Sequence, residues 1–189
     1  MNAMLGMIKL FYVFVNKDSQ IQMNKTELKN IIVTKKTNGK FTCDEIGMTW
    51  QVSYVRFVVG EKVDFDSLEH FYWSILNSEN NVSSGYVGEL EWIDRVNISE
   101  WISHLKIESV EKHLLDEEVK STLKEIDREE DNREEFERIN KANLKIPEGV
   151  AECWMIEESK ESRHPVGATW SIIAEYMDDF FYIERHWES

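Results

Sequence analysis

The stretch Glu108–Lys141 constrains the fold of this chain more than any other part of the sequence. Apolar residues recur along it at the spacing of one helical face, at Leu115, Val119, Leu123 and Ile126. Acids precede bases by four positions, as in Asp116/Lys120, and each such pair adds roughly 0.2–0.5 kcal/mol to an exposed helix. The pattern predicts a long charged helix between two blocks rich in strand-forming residues.

The apolar stripe of this helix is interrupted after Ile126. Charged residues occupy the next turns, at 129–133, and the stripe resumes at Phe136. Either the helix leaves the body of the protein there or it breaks near Asp131–Asn132. The interruption favours a break or an exposed turn, with a second short helix to about Asn143. Residues 108–147 are therefore interpreted as an acidic helical insertion or arm.

The blocks on either side of this segment have the patterns of strands. Asn38-Gly39 between two β-prone runs is a strong hairpin signal and predicts that Asn30–Lys36 pairs with Lys40–Asp44. Alternation over 48–59, with a bulge near Tyr54–Val55, predicts another strand. Further strands are expected at Ile8–Val15, Tyr86–Ile93 and Val150–Glu157, with Cys153 or Trp154 inward, and a hairpin at Ala168–Met177 and Phe180–Trp187.

Two shorter helices are predicted outside the central segment. Asp66 followed by Glu69 forms a capping box for a helix to about Ser78, whose buried face holds Leu68, Tyr72, Ile75 and Leu76. Trp73 lies off that stripe, which leaves open an exposed anchor or packing at a sheet edge. Ser99 caps a second helix through Lys106, with Trp101, Ile102 and Leu105 inward. The sum is an α+β fold: an antiparallel or mixed sheet of about six to eight strands with three or four helices, in which 1–107 and 148–189 form one domain.

The net charge of −14 is concentrated in the later part of the chain. Residues 1–107 carry 11 bases and 13 acids, whereas residues 108–189 carry 11 bases and 23 acids. A surface with this charge repels nucleic-acid phosphates and anionic membranes. It attracts basic proteins, because complementary charge raises the rate and specificity of association. No nucleic acid or membrane is therefore expected as a partner.

Few residues have the spacing of a reactive or metal-binding site. Cys43 and Cys153 form no CxxC pair and are interpreted as reduced, buried thiols of a cytoplasmic protein. The five histidines show no ligand spacing, and His70 is expected at the surface. The apolar run Met4–Val15 is too short to span a bilayer, and no base precedes it as in a signal peptide. No cofactor is predicted.

One enzymatic interpretation starts at Lys36-Thr37-Asn38-Gly39, which resembles the Lys-x-Asp-Gly adenylation motif of ATP-dependent nucleic-acid ligases. Val87-Gly88-Glu89-Leu90 and Glu148-Gly149-Val150 resemble two later motifs of that family. The resemblance implies that Lys36 attacks the nucleotide α-phosphate. The sequence departs from the family at Asn38, which replaces the aspartate, and in the absence of a Lys-x-Lys pair after Glu148.

The charge distribution favours a different function, the binding of a basic protein partner such as a toxin or a host enzyme. Immunity proteins, antitoxins and phage-type inhibitors of host enzymes are the corresponding classes. The predicted contacts are all acidic: Asp127, Glu129, Glu130, Asp131, Glu134, Glu135, Asp178 and Asp179. A third hypothesis is a self-assembling subunit that forms a homo-oligomer through the central helices or a sheet edge.

Overall fold

The computed structural model describes residues 23–47, 54–79, 98–130, 144–157 and 167–188, which form an α+β fold. The six strands are β1 Thr42–Gly47, β2 Tyr54–Glu61, β3 Lys106–Val110, β4 Glu152–Glu157, β5 Gly167–Glu175 and β6 Asp179–Glu188. Within the described ranges the helices are α1 Lys25–Val33, α2 Leu68–Glu79, α3 Ile98–His104 and α4 Lys112–Glu130, with a 3-10 turn at Lys62–Asp64.

The six strands make one antiparallel sheet in the order β1-β2-β6-β5-β4-β3. The predicted α+β class is thereby confirmed. The hairpin predicted at the end of the chain is also confirmed, because β5 and β6 pair along their length from Gly167↔Glu188 to Glu175↔Phe180. The strands predicted at 8–15, 48–53 and 86–93 lie outside the described residues.

The sheet is covered on both of its faces. One face packs against α1, α2 and α3 through side chains that include Trp154, Ile173 and Tyr182. The other packs against α4, in a second cluster that includes Cys153 and Phe181. Successive strand residues point to opposite faces, so Cys153 and Trp154 are both buried although only one of them was expected to point inward.

The hairpin predicted around Asn38-Gly39 is wrong, because its first arm is helical. Asn24 caps α1, and its side-chain oxygen accepts the backbone N–H groups of Thr26 and Glu27 at 3.0 and 3.2 Å. Leu28, Ile31 and Ile32 then form the buried face of the helix. The two β-branched isoleucines favour a strand locally, but their burial against the core outweighs that preference. The second arm becomes β1, which pairs with β2.

Replacing Asn24 with alanine is expected to lower the free energy of unfolding by about 1 kcal/mol, because two N–H groups of the first turn lose their acceptor. Urea denaturation measures the change. Asn30→Ala is the matched control, since Asn30 is exposed within the same helix and alanine has the higher helix propensity. Equal stabilities of the two variants would show that the cap contributes nothing.

The capping box predicted from Asp66 and Glu69 is not formed, because Ser67 caps helix α2 and the side chain of His70 bonds to the residue before that cap. The side-chain oxygen of Ser67 accepts the N–H of His70 at 3.2 Å, and Nδ1 of His70 accepts the N–H of Asp66 at 3.2 Å. Glu69 instead accepts the N–H of Asn24 at 2.5 Å. The predicted buried face of α2 is confirmed, since Leu68, Tyr72, Ile75 and Leu76 are all buried.

Helix α2 also carries a polar stripe that holds the segment 36–39. Four side chains at helical spacing bond to this segment: His70 Nε2 to the Thr37 carbonyl at 2.8 Å, Trp73 Nε1 to the Lys36 carbonyl at 2.8 Å, Ser74 Oγ to the Gly39 N–H at 3.0 Å, and Asn77 to the Asn38 side chain at 2.6 Å. His70 and Trp73 are both buried. The expected surface position of His70 is therefore wrong, and Trp73 is not an exposed anchor.

The central helix begins later than predicted. Glu108 lies in β3, so the helical part of the segment starts at Lys112 and is described to Glu130. Leu115, Val119 and Ile126 are buried as the stripe predicts, with Thr122 buried among them. The proposed break near Asp131 and the second short helix lie outside the described residues. The division into a domain and an acidic arm stays a prediction, although Glu108–Val110 belong to the sheet.

Helix α3 begins at Ile98 and ends at His104, two residues before its predicted end. Trp101, Ile102 and Leu105 are buried as expected. Lys106 instead starts β3, which the sequence pattern did not indicate. Five residues of which only Ile107 and Val110 are buried are a short signal without strict alternation, and this strand is specified mainly by its pairing with β4.

Candidate functional site

One end of the sheet carries three of the four most exposed large apolar side chains of the described residues. Val63, Val150 and Met177 are 88%, 92% and 86% exposed. The pairs Glu61↔Asp179 and Glu152↔Glu175 place all three just beyond the same end of the sheet. With neighbouring strands about 4.8 Å apart, the three side chains fall within roughly 15 Å of sheet width. Residues 61–64, 148–152 and 177–179 are called the hairpin end below.

The hairpin end is strongly acidic. Its residues include six acids and one base, Lys62. Five of the six acids are exposed: Glu61, Asp64, Glu148, Glu152 and Asp178. The ammonium group of Lys62 lies 2.7 Å from a carboxylate oxygen of Glu175 and 5.4 Å from the ring centre of Phe180. Since Lys62 is paired with Glu175, it leaves the five exposed acids of the hairpin end facing solvent.

Backbone hydrogen bonds hold the hairpin end in place. The N–H of Lys62 donates to the carbonyl of Asp178 at 2.9 Å, which ties the 3-10 turn after β2 to the turn between β5 and β6. The N–H of Tyr176 donates to the carbonyl of Asp179 at 2.9 Å and closes that turn. The exposed side chains of 61–64 and 177–179 therefore project from a hydrogen-bonded backbone.

A groove of about 500 Å³ runs along α4 beside the hairpin end. Its floor is apolar and is formed by Leu115, Val119, Leu123, Ile146 and Tyr176. Its rim carries two acids, Asp116 and Asp127, and two lysines. Burial raises the pKa of the Tyr176 phenol to about 12, with smaller contributions from Cys153 and Asp116. Tyr176 is thus a neutral apolar surface next to the turn that holds Asp178.

The structure describes three of the predicted acidic contacts, and of these three Asp178 and Asp179 lie next to each other. Asp178 is exposed in the β5–β6 turn, Asp179 is half-buried at the start of β6, and Asp127 is exposed on the groove rim. The backbone of Glu129 and Glu130 belongs to the last turn of α4, but their side chains, like all of Asp131, Glu134 and Glu135, lie outside the described residues. The role of these acids in binding stays a prediction.

Sequence reasoning missed the apolar part of this surface. Val63, Val150 and Met177 follow or precede strands and have no periodic pattern that marks them as exposed. The only signal is the position of Met177 beside Asp178-Asp179 in a predicted turn. The apolar side chains come together only when non-consecutive strands pair, because β2 lies next to β6 and β5 next to β4.

A second polar cluster lies on the face of the sheet that carries α1 to α3. Glu184 is fully buried, and its carboxylate lies 3.7 Å from the guanidinium of Arg56 and 3.5 Å from the hydroxyl of Tyr54. Arg56 also contacts Glu45 at 2.5 Å and stacks over the Tyr54 ring at 4.5 Å. These contacts tie β1, β2 and β6 together, and they explain the cluster as an internal salt-bridge network.

Neither cysteine is an activated nucleophile. Burial raises the pKa of the Cys153 thiol to about 12, although Lys112 opposes the shift. Desolvation likewise raises the pKa of Cys43 to about 11, against the lowering effect of Arg56. Both thiols are therefore protonated at neutral pH, whereas a nucleophile must be a thiolate. Both are free, but Cys43 is exposed on β1 although its thiol is partly desolvated, which corrects the prediction that both are buried.

In the structure, Lys36 of the ligase-like segment makes contacts that hold the fold together. Lys36 forms an ion pair with Asp66, and its carbonyl accepts the indole N–H of Trp73. Glu148, from the third motif, is exposed in the segment before β4, and residues 87–90 lie outside the described ranges. Gly39, predicted to form a turn, lies instead where a side chain would collide with Phe65.

Within the described ranges, no three His, Cys, Asp or Glu side chains are arranged to hold a metal ion. No helix in those ranges has both the length and the apolar character needed to span a membrane. Comparisons with known protein families, with curated proteins and with solved structures find no match. The interpretation of the hairpin end therefore depends on its own residues.

Proposed function

We propose that this protein binds a basic protein partner through the hairpin end and masks the surface it contacts, as an inhibitor, immunity protein or antitoxin does. The observation that supports the proposal is the coincidence of exposed apolar side chains with exposed acids on one ordered end of the sheet. Surface apolar residues scattered singly need no explanation. Three of them at one end, surrounded by acids, have the composition of an interface with an apolar centre and a charged rim.

The partner expected from this chemistry presents aliphatic or aromatic side chains flanked by lysine or arginine. Its apolar groups would contact Val63, Val150 and Met177, while its cations would approach Asp64, Glu148, Glu152 and Asp178. Rim charges mainly set the association rate and its dependence on salt. Apolar contacts at the centre mainly set the dissociation rate.

Reversing the charge of the hairpin end is expected to weaken binding. The probes are two synthetic peptides of equal positive charge, one alternating Lys with Leu and Trp and the other alternating Lys with Ser, measured by fluorescence anisotropy. We expect Asp64→Lys, Glu148→Lys and Asp178→Lys together to weaken binding of the apolar peptide by at least about 10-fold at low salt. The triple variant Glu27→Lys, Glu108→Lys and Glu117→Lys carries the same charge change on other exposed positions and should bind normally.

The apolar side chains are tested separately. Val63→Ser with Met177→Ser should weaken binding of the Leu and Trp peptide but leave the weaker binding of the serine peptide unchanged. Val33→Ser is the control, because Val33 is also exposed but lies on α1. If the two charge-reversed variants bind alike, or both peptides bind alike, the hairpin end is not the binding surface. A concentration-dependent mass in light scattering would instead support self-assembly.

A further inference from the structure

His70 uses its two ring nitrogens in opposite roles, and the ring is only 5% exposed. Nδ1 faces the backbone N–H of Asp66 at 3.2 Å and must accept its hydrogen. Nε2 lies 2.8 Å from the carbonyl oxygen of Thr37 and must donate to it. A backbone N–H can only donate and a carbonyl can only accept. The geometry therefore permits one state of the ring, the neutral imidazole that carries its hydrogen on Nε2.

A proton added to Nδ1 of this ring would place two hydrogen-bond donors against each other. A protonated imidazole carries hydrogen on both nitrogens, so Nδ1–H would point at the N–H of Asp66. The N–H of Asp66 would lose its acceptor at a partly buried position, where an unsatisfied polar group carries a cost. The contact with Thr37 survives protonation, but the ring has to move to relieve the clash at Nδ1. Such a movement strains the contact that holds the segment 36–39.

The charged groups around the ring do not remove this conflict. On the segment packed against it, the cations are Lys36 and Lys40, and before the helix the acids are Asp64 and Asp66. Lys36 and Asp66 form an ion pair with each other. On α2 itself, Glu69 is hydrogen bonded to the backbone of Asn24. The remaining near neighbour is the ring of Phe65, whose centre lies 5.7 Å from that of His70 in an edge-to-face arrangement.

We propose that His70 makes the start of α2 sensitive to pH, because its Nδ1 accepts the N–H of Asp66 only while its ring is neutral. The stabilising contribution of this hydrogen bond is present while the ring is neutral. It is lost when the ring gains a proton, whereas the contact of Nε2 with the Thr37 carbonyl remains.

The test compares the wild-type protein with His70→Gln by urea denaturation at pH 7.5 and pH 5.0. Glutamine also completes a capping box, but it has no proton to gain. We expect the ratio of folded to unfolded wild-type protein to fall, relative to that of His70→Gln, by roughly 10-fold between the two pH values, the effect of one lost hydrogen bond at a partly buried site. His104→Gln is the control, because His104 is exposed on α3 and its replacement should leave the pH dependence of the wild type unchanged.

A second measurement does not require any variant to fold. Nitrogen-15 NMR of the wild-type histidine rings at pH 7.5 should show His70 with its hydrogen on Nε2 and a bare Nδ1. The exchange of the Asp66 amide hydrogen should accelerate at pH 5.0 relative to the neighbouring amides of α2. A ring with its hydrogen on Nδ1 at pH 7.5 would overturn the proposal. Equal pH dependence of the stabilities of wild type and His70→Gln would overturn it as well.

Discussion

Alanine in place of Gly60 is expected to lower the free energy of unfolding by about 2–3 kcal/mol, through overpacking of the core. A methyl group at this position of β2 would lie 2.5 Å from ring carbon Cε2 of Phe65 and 3.0 Å from Cε2 of Phe71. Elsewhere in a strand, replacing glycine by alanine stabilises by roughly 0.5–1 kcal/mol. A lower free energy of unfolding would therefore indicate overpacking at Gly60, and a higher one would indicate an ordinary strand position.

The Phe65 ring cannot simply move away from such a methyl group. Its other side lies against Gly39, where an added methyl group would also contact the ring and would lie 2.5 Å from the carbonyl oxygen of Asp64. The ring further packs edge-to-face on Phe71 and Phe180, with centres 5.1 and 6.0 Å apart. Gly39→Ala should therefore destabilise the protein to a similar extent.

Urea denaturation of single and double variants checks the cause of this effect. In a Phe65→Leu background the smaller side chain leaves room for the methyl group, so Gly60→Ala should cost at least about 1 kcal/mol less there than in the wild type. Additive effects of the two substitutions would show that the collision with Phe65 is not the reason. A stabilising Gly60→Ala would show that the site is not close-packed.

Replacing Arg185 with methionine is expected to destabilise the protein by about 2–3 kcal/mol, because two carboxylates lose their common partner. One guanidinium nitrogen of Arg185 donates to Glu118 at 2.8 Å and the other to Glu125 at 2.5 Å. These two acids lie two turns apart on α4 and thus on one side of the helix. Arg185, on β6, is only 13% exposed, so water replaces it poorly.

The variant with Arg185→Met, Glu118→Gln and Glu125→Gln is the informative comparison. Replacing a partly buried ion pair as a whole costs less than removing one member, because no uncompensated charge remains. We therefore expect the triple variant to recover most of the stability lost by Arg185→Met in urea denaturation. A single substitution within about 0.5 kcal/mol of wild type would show that the contact between α4 and β6 depends on apolar packing alone.

Comparison of particular elements shows how far the sequence predicts this fold. The stripe of α4 and the β5–β6 hairpin were predicted because each depends on a periodic pattern of apolar residues. Helix α1 was not, because Ile31 and Ile32 favour a strand until burial against the core is included. The hydrogen bonds of His70 and Trp73 could not be predicted from the sequence, since they go to the backbone of residues more than 30 positions away.

The candidate site likewise has one component that the sequence predicts and one that it does not. The acidity around Asp178 and Asp179 can be read from the sequence, because charge is a property of each residue. The apolar component cannot, because Val63, Val150 and Met177 belong to three separate connections. Their common position depends on the strand order, in which β2 pairs with β6 across more than 100 residues.

The sequence by itself determined the class of the fold, the buried face of α4 and the concentration of negative charge in the later part of the chain. Periodicity and charge are local quantities, so they need no knowledge of the partners of each residue. Only the tertiary structure decided that Gly39 and Gly60 enclose one phenyl ring, that His70 is buried, and that the hairpin end combines acids with exposed apolar groups. Each of these features depends on contacts between residues distant in sequence, and such contacts are specified by the packing of the whole domain.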